Sequence, residues 1–196
     1  MRLLAFDPSF SRTGITVFLG DKRELHILRN ESQIGEKSFN NTFHTAYEAV
    51  DNIIGKVKRL TDNIDLTISE IPPPQASFSS GLYMFDSLLL TRVLVRFCPN
   101  KIYTLYPTFV AHVIGTRSCK KSDSVILAKT IIEILKKNVI EVKMEKGLCH
   151  DEAESVIFMA RLFCIVYPKS KIVKQLITEV PRLVSEKEKL FYPWKG

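Results

Sequence analysis

The sequence predicts an α/β domain, a mixed five-stranded sheet flanked by helices, over residues 1–168, with a basic helical extension at 169–196. Three observations lead there. Short apolar segments of strand type at 2–7, 13–19, 24–29, 64–70 and 101–106 give way, after the third, to alternation with longer segments of helical spacing. The resulting order, β-β-β-α-β-α-β-α-α, starts as a meander and continues through crossovers, the pattern of a mixed sheet covered by helices. Finally, 196 residues with 45% hydrophobic and 25% charged content suffice for one buried core without staples.

The elements follow in order. "LLAFD" (3–7) is an apolar strand that ends on a carboxylate, Asp7, before the polar turn "PSFSRTG" (8–14). "GDKR" (20–23) has the turn chemistry of a hairpin joining the second and third strands. Residues 30–41 are polar and read as loop, after which Phe43, Ala46, Tyr47, Val50, Ile53, Ile54, Val57 and Leu60 trace one face of an amphipathic helix. "IDLTISE" (64–70) alternates as a strand and stops at Glu70, because the prolines 72–74 cannot continue a ladder. A helix follows over 81–97, then the strand 101–106, then a short helix 107–114 with Pro107 in its first turn. "GTRSCKKSDS" (115–124) is a basic turn leading into a helix that runs to 137. Residues 138–149 read as irregular, and an apolar helix starts near His150.

Charge and cysteine usage narrow the class. With 28 Lys+Arg against 21 Asp+Glu, a net charge of +7 favours a polyanionic partner. The longest apolar stretch, 155–167, is interrupted by Arg161 and is too short to span a bilayer. The first ten residues carry too short an apolar run for a signal peptide, so no membrane partner is expected. The four cysteines stand singly, without a C-x-x-C pair, which fits reduced thiols in a cytoplasm.

Carboxylates are the chemistry-bearing residues. Asp7 and Glu70 each end a strand, and neighbouring strands would project both at one edge of the sheet, where α/β folds place their ligands. In "HDEAES" (150–155), Asp151 and Glu154 are three apart at the start of a helix and share a face. Acids at a helix start also stabilise it through the dipole, and Asp151 and Glu152 fit that use. Four acids brought together would repel, so their convergence asks for cations: hard oxygen ligands suit a pair of divalent metals.

These segments, in this order, resemble the RuvC-type Holliday junction resolvases of the ribonuclease H-like superfamily. "LLAFDPSFSRTG" resembles the family's opening strand and D-P-S-x-x-x-T-G turn, and "LTISEIPPP" the strand with its glutamate. "YPTFVAHVIGTRSCKKSDSV" (106–125) resembles its P-T-x-V stretch and lysine-led helix, and "HDEAESV" its closing D-x-A-D-A motif. The departures are Glu154 in place of the last aspartate, and Ala111, with His112 beside it, where the family often has lysine. The resemblance covers 2–167 and implies a ribonuclease H-like fold. It implies a metal-dependent endonuclease cutting four-way DNA junctions as a homodimer, with Asp7, Glu70, Asp151 and Glu154 holding two Mg²⁺ (Mn²⁺ as the alternative). Lys121 takes the place of the family's basic residue near the scissile phosphate. A short, divergent member would suit a bacteriophage, acting in the cytoplasm of a bacterial cell or infected host.

The remaining residues add a DNA surface. Ser9, Ser11, Arg12 and Thr13 in the Asp7 turn offer phosphate contacts, and Arg117, Lys120 and Lys121 form a second basic patch. Phe78, in a polar loop, is placed to stack on an unpaired base. The 81–97 helix is apolar on nearly every face, which calls for cover on two sides and is the basis for expecting a dimer. The alternatives are another nuclease of the same fold, acting on RNA–DNA hybrids, flaps or branches, and a junction-binding scaffold without cleavage.

Overall fold

The computed structural model describes residues 1–8, 12–31, 39–70, 89, 92–93, 95–96, 102–106, 108–117, 120–184 and 192–193. Its strands are β1 (Arg2–Asp7), β2 (Arg12–Leu19), β3 (Glu24–Glu31), β4 (Leu66–Glu70), β5 (Ile102–Leu105), β6 (Glu141–Met144) and β7 (Tyr192–Pro193). Its helices are α1 (Phe39–Lys58), α2 (Phe109–Ile114), α3 (Lys121–Lys137), α4 (His150–Val166) and α5 (Lys171–Glu179), with a 3-10 turn at Pro181–Val184. The strand order is β6-β3-β2-β1-β4-β5-β7. β1, β2 and β3 form an antiparallel meander, while β4 joins β1 and β5 joins β4 in parallel. This is the mixed sheet flanked by helices that the order of elements in the sequence predicts.

The sheet has seven strands rather than the expected five. β6 lies within 138–149, which read as irregular: four residues, "EVKM", mostly exposed, carry too little apolar alternation to show as a strand. It pairs in parallel with β3 at one edge. At the other edge the two-residue β7 pairs with β5, so the tail after 168 is a helix, a 3-10 turn and a strand rather than helix throughout. Val173, Leu176, Val180 and Leu183 of that tail are buried in the same apolar layer as α4.

Burial on both faces explains why β1 reads as a continuous apolar run. Leu3, Leu4 and Ala5 are fully buried and Phe6 nearly so. Odd positions meet the layer of α2, α3, α4 and α5, and even positions meet that of α1. Helix α4 is apolar round most of its surface because it is packed between the sheet and α3. Of the 81–97 segment the described residues are 89, 92, 93, 95 and 96, all helical; Leu89 and Val93 are buried and Val95 is 60% exposed. Among the described residues no helix is long and apolar enough to cross a membrane.

Candidate metal centre

Side chains alternate between the two faces of a strand, and that decides which ones meet here. Leu3 and Ala5 face α4, so Asp7 falls on the same side; Leu66 and Ile68 place Glu70 there too. On β2, Phe18 shares this face with Thr16, Gly14 and Arg12, and on β3 Leu25 and Ile27 share it with Arg29. The register then lines them up. Arg29 pairs with Gly14 and Gly14 with Asp7, while Glu70 lies one step beyond the Phe6–Ser69 pair. Arg29, Gly14, Asp7 and Glu70 thus form a row across four strands.

Helix α4 begins over that row. A Cβ on Gly14 would overlap the Asp151 carbonyl and come within 2.6 Å of the Glu152 nitrogen, so the bare glycine is what lets the helix settle on β2. One turn further, the fully buried hydroxyls of Thr16 and Ser155 lie 2.8 Å apart. Ser155 Oγ donates to the Glu152 carbonyl at 2.8 Å, so Thr16 is the donor of the hydroxyl pair.

At the acidic end of the row, ligand oxygens of Asp7, Glu70 and Glu154 all lie within 4.8 Å of one another. Asp7 is 8% exposed. Burial, and then the charges of Glu154, Glu70 and Asp151, hold its carboxyl well above the usual range. Burial also raises Glu154, against an opposing pull from His150. Crowded like charges of this kind are relieved by a bound cation, and an all-carboxylate donor set is the hard-oxygen type that Mg²⁺ or Mn²⁺ takes. The residues present fit a divalent metal.

Asp151 does not join the three. Its Oδ2 lies 3.9 Å from Arg12 Nε and 3.7 Å from Cys149 Sγ, although its charge still reaches Asp7. Expecting all four acids at one point overlooked Arg12, which opens β2 and draws Asp151 aside. Arg12 also pairs with Glu31 at 3.4 Å, so its guanidinium is engaged with protein carboxylates. Glu152 turns the other way. It is 3% exposed, takes an ion pair from Arg29 Nε, and accepts from the Cys149 backbone N–H at 3.1 Å and from the Cys149 thiol. Burial raises its carboxyl, but the Arg29 and Cys149 hydrogen bonds outweigh that and leave it lowered.

Lys120 caps the start of α3 and Lys121 is its first residue; both are exposed, as is Arg117 in the turn before them. Ser9 and Phe78 lie outside the described residues. Sequence reasoning missed Gly14, Arg29 and His150 as neighbours of the acids. The glycine closing the "RTG" turn and the histidine opening "HDEAES" were the available signals. Arg29 offered none, because its role depends on cross-strand register.

No family model matches this chain, and no curated protein matches it. Among solved structures it is similar to a Thermus thermophilus RuvC structure at 12% identity and a TM-score of 0.49, over 99% of this chain and 100% of that one. It is also similar to T. thermophilus RuvC in complex with a Holliday junction substrate, at 14% identity and a TM-score of 0.45, over 83% of this chain and 96% of that one. An exopolyphosphatase from Cytophaga hutchinsonii matches at 9% identity and a TM-score of 0.33, over 58% of this chain and 36% of that one. Likeness at this level says nothing of substrate or chemistry, which rest on the site.

Proposed function

We propose that the protein is a metal-dependent endonuclease that cuts branched DNA, four-way junctions foremost, by hydrolysis of a phosphodiester. The observation that carries this reading is the convergence of Asp7, Glu70 and Glu154 where β1 and β4 end beneath the start of α4. Its motif order, which resembles the junction resolvases, supplies the choice of substrate. A divalent ion bound there would supply a water of lowered pKa and positive charge to stabilise the leaving oxygen. Asp7, Glu70 and Glu154 would hold the metal, and a second Mg²⁺ would need Asp151 to turn from Arg12 toward them. Lys121 neutralises charge that develops on the phosphate. Ser9, Arg12, Arg117 and Lys120 contact the backbone, which the excess of basic residues favours, and Phe78 stacks on an exposed base.

Two sites must act on opposed strands of a four-way junction, and the apolar 81–97 segment, expected from its sequence to be helical, is the part of the chain proposed to join two copies. The test incubates purified protein with synthetic four-way junction, duplex, flap and RNA–DNA hybrid, with Mg²⁺ or with chelator. Paired symmetric nicks in the junction, dependent on Mg²⁺ and lost in Asp7→Asn, are expected. Equal cutting of linear duplex, or cutting in chelator, overturns the reading.

A further inference from the structure

One contact chain leaves the acidic cluster toward a different helix. His150, the first residue of α4, has its Nε2 3.4 Å from Glu154 Oε1 and its Nδ1 2.8 Å from Ser124 Oγ on α3. Ser124 is fully buried, and its Oγ has two acceptors in reach, His150 Nδ1 at 2.8 Å and the Lys121 carbonyl at 3.1 Å. A hydroxyl has one proton, and given to the nearer imidazole nitrogen it leaves the neutral ring's own hydrogen on Nε2. Nδ1 then accepts from Ser124, and the ring is held with its Nε2–H turned to Glu154. The imidazole is 25% exposed and Glu154 13% exposed, so most of the contact is shielded from water. α4 reaches the sheet through Gly14 and Ser155, which fixes its backbone, while the Glu154 carboxylate lies between a side-chain hydrogen bond with Asp7 on one side and His150 on the other.

We infer that His150 is a positioning residue: set by Ser124, it holds the Glu154 carboxylate toward Asp7 in the metal-binding arrangement, and ties that carboxylate to the start of α3, where Lys120 and Lys121 lie. The inference rests on the reading of Asp7, Glu70 and Glu154 as a metal centre. Partners that orient a metal ligand typically matter ~10–100-fold in metal affinity. His150 differs from the three acids in that it contacts a ligand and not the ion.

The two ring nitrogens can be replaced separately. The side-chain nitrogen of asparagine stands near the place of Nδ1 and that of glutamine near the place of Nε2. Titration of metal-free protein with Mn²⁺ by calorimetry, alongside thermal melts of the same samples, provides the test. His150→Ala should weaken Mn²⁺ binding by about 10–100-fold with little change in the melt of the metal-free protein. His150→Gln should recover most of that loss and His150→Asn should not. Ser124→Ala should weaken binding and add nothing when combined with His150→Ala. Wild-type Mn²⁺ affinity in His150→Ala, or rescue by asparagine equal to that by glutamine, overturns the inference. Asp7→Asn is titrated in parallel. If it binds Mn²⁺ as well as wild type the metal centre itself fails, whereas loss in Asp7→Asn with none in His150→Ala removes only the role of His150.

Discussion

Glu152 and Glu154 stand two residues apart on the first turns of one helix, and their surroundings are opposite. Glu152 faces the β3 end of the row, where Arg29 meets it, and its carboxyl is lowered. Glu154 faces the β1 end, where Asp7 and Glu70 meet it, and its carboxyl is raised. Gly14 separates the two halves. One half has neutralised its buried charge internally and serves to hold the helix down. The other gathers three acids, two of them with raised carboxyls, an arrangement that a bound cation would relieve. Burial is common to both, so burial alone does not mark a functional acid; the sign of what it faces does.

The largest effect should come from the acidic half. Asp7→Asn should lower junction cleavage by at least about 10⁴-fold, roughly 5 kcal/mol of barrier. Binding of the junction in Ca²⁺ should stay equal or tighten. The metal-free variant should melt no lower than wild type, because the substitution removes repulsion. A melt several degrees lower would show that Asp7 is a structural acid like Glu152.

Next comes the paired half. Arg29→Met leaves the Glu152 carboxylate buried without its cation and should cost about 3–5 kcal/mol in urea unfolding. Removing both charges, in Arg29→Met with Glu152→Gln, should return much of that. A double variant as unstable as the single one would break the account of this pair as mutually neutralising.

Gly14→Ala tests the spacer between the halves. Its methyl group must push the start of α4 off β2, an overpacking cost of about 1–3 kcal/mol. Cleavage should fall by more than the stability loss accounts for, since the shift separates Glu154 from Asp7. Cleavage kept at the wild-type rate at a temperature where the variant is fully folded would show that the spacing tolerates the shift.

The smallest effect belongs to an exposed pair on the far edge, which has the chemistry of Arg29–Glu152 without its burial. Hydrogen bonds from Lys143 and then His26 bring Glu24 down from 4.5 to about 2. Lys143 Nζ lies 2.6 Å from Glu24 Oε1. A lowered folded value means this contribution is complete above 4.5 and is lost as pH falls through about 2. Lys143→Met should therefore be slightly less stable than wild type above pH 4.5, and the gap should close toward pH 2. It should also shrink in 1 M salt; a gap as large as that of Arg29→Met would refute the ranking by burial.

Much of this was legible in the sequence because local pattern decides it. The run "LLAF" is apolar on both faces, and its ending in Asp7 marked a strand whose last residue departs from the core. Glu70 before three prolines was marked the same way, and the helix starting at His150 announced itself by its apolar length. What remained hidden depends on pairing across the sheet. That Arg29 stands level with Asp7 is a fact of register, and that Asp151 turns to Arg12 while Glu154 turns to Asp7 follows from where α4 crosses the row. β6 and β7 were missed because short edge strands need little apolar pattern: a neighbour's free ladder positions are enough to make them.

The row across the sheet also sets an order in time. Asp7 emerges with the first strand of the chain, Glu70 with the fourth, and Glu154 only on α4, after all the strands but the last. β1 can pair with β2 at once, but the parallel pairing of β1 with β4 waits for the crossover through α1, and the third acid waits for α4 to dock. Contacts between residues so distant in the chain form late. A ribosome-bound chain, or one cut short before α4, carries two of the acids and cannot close the cage. Whatever these carboxylates would act on is therefore spared until α4 has been made and has docked.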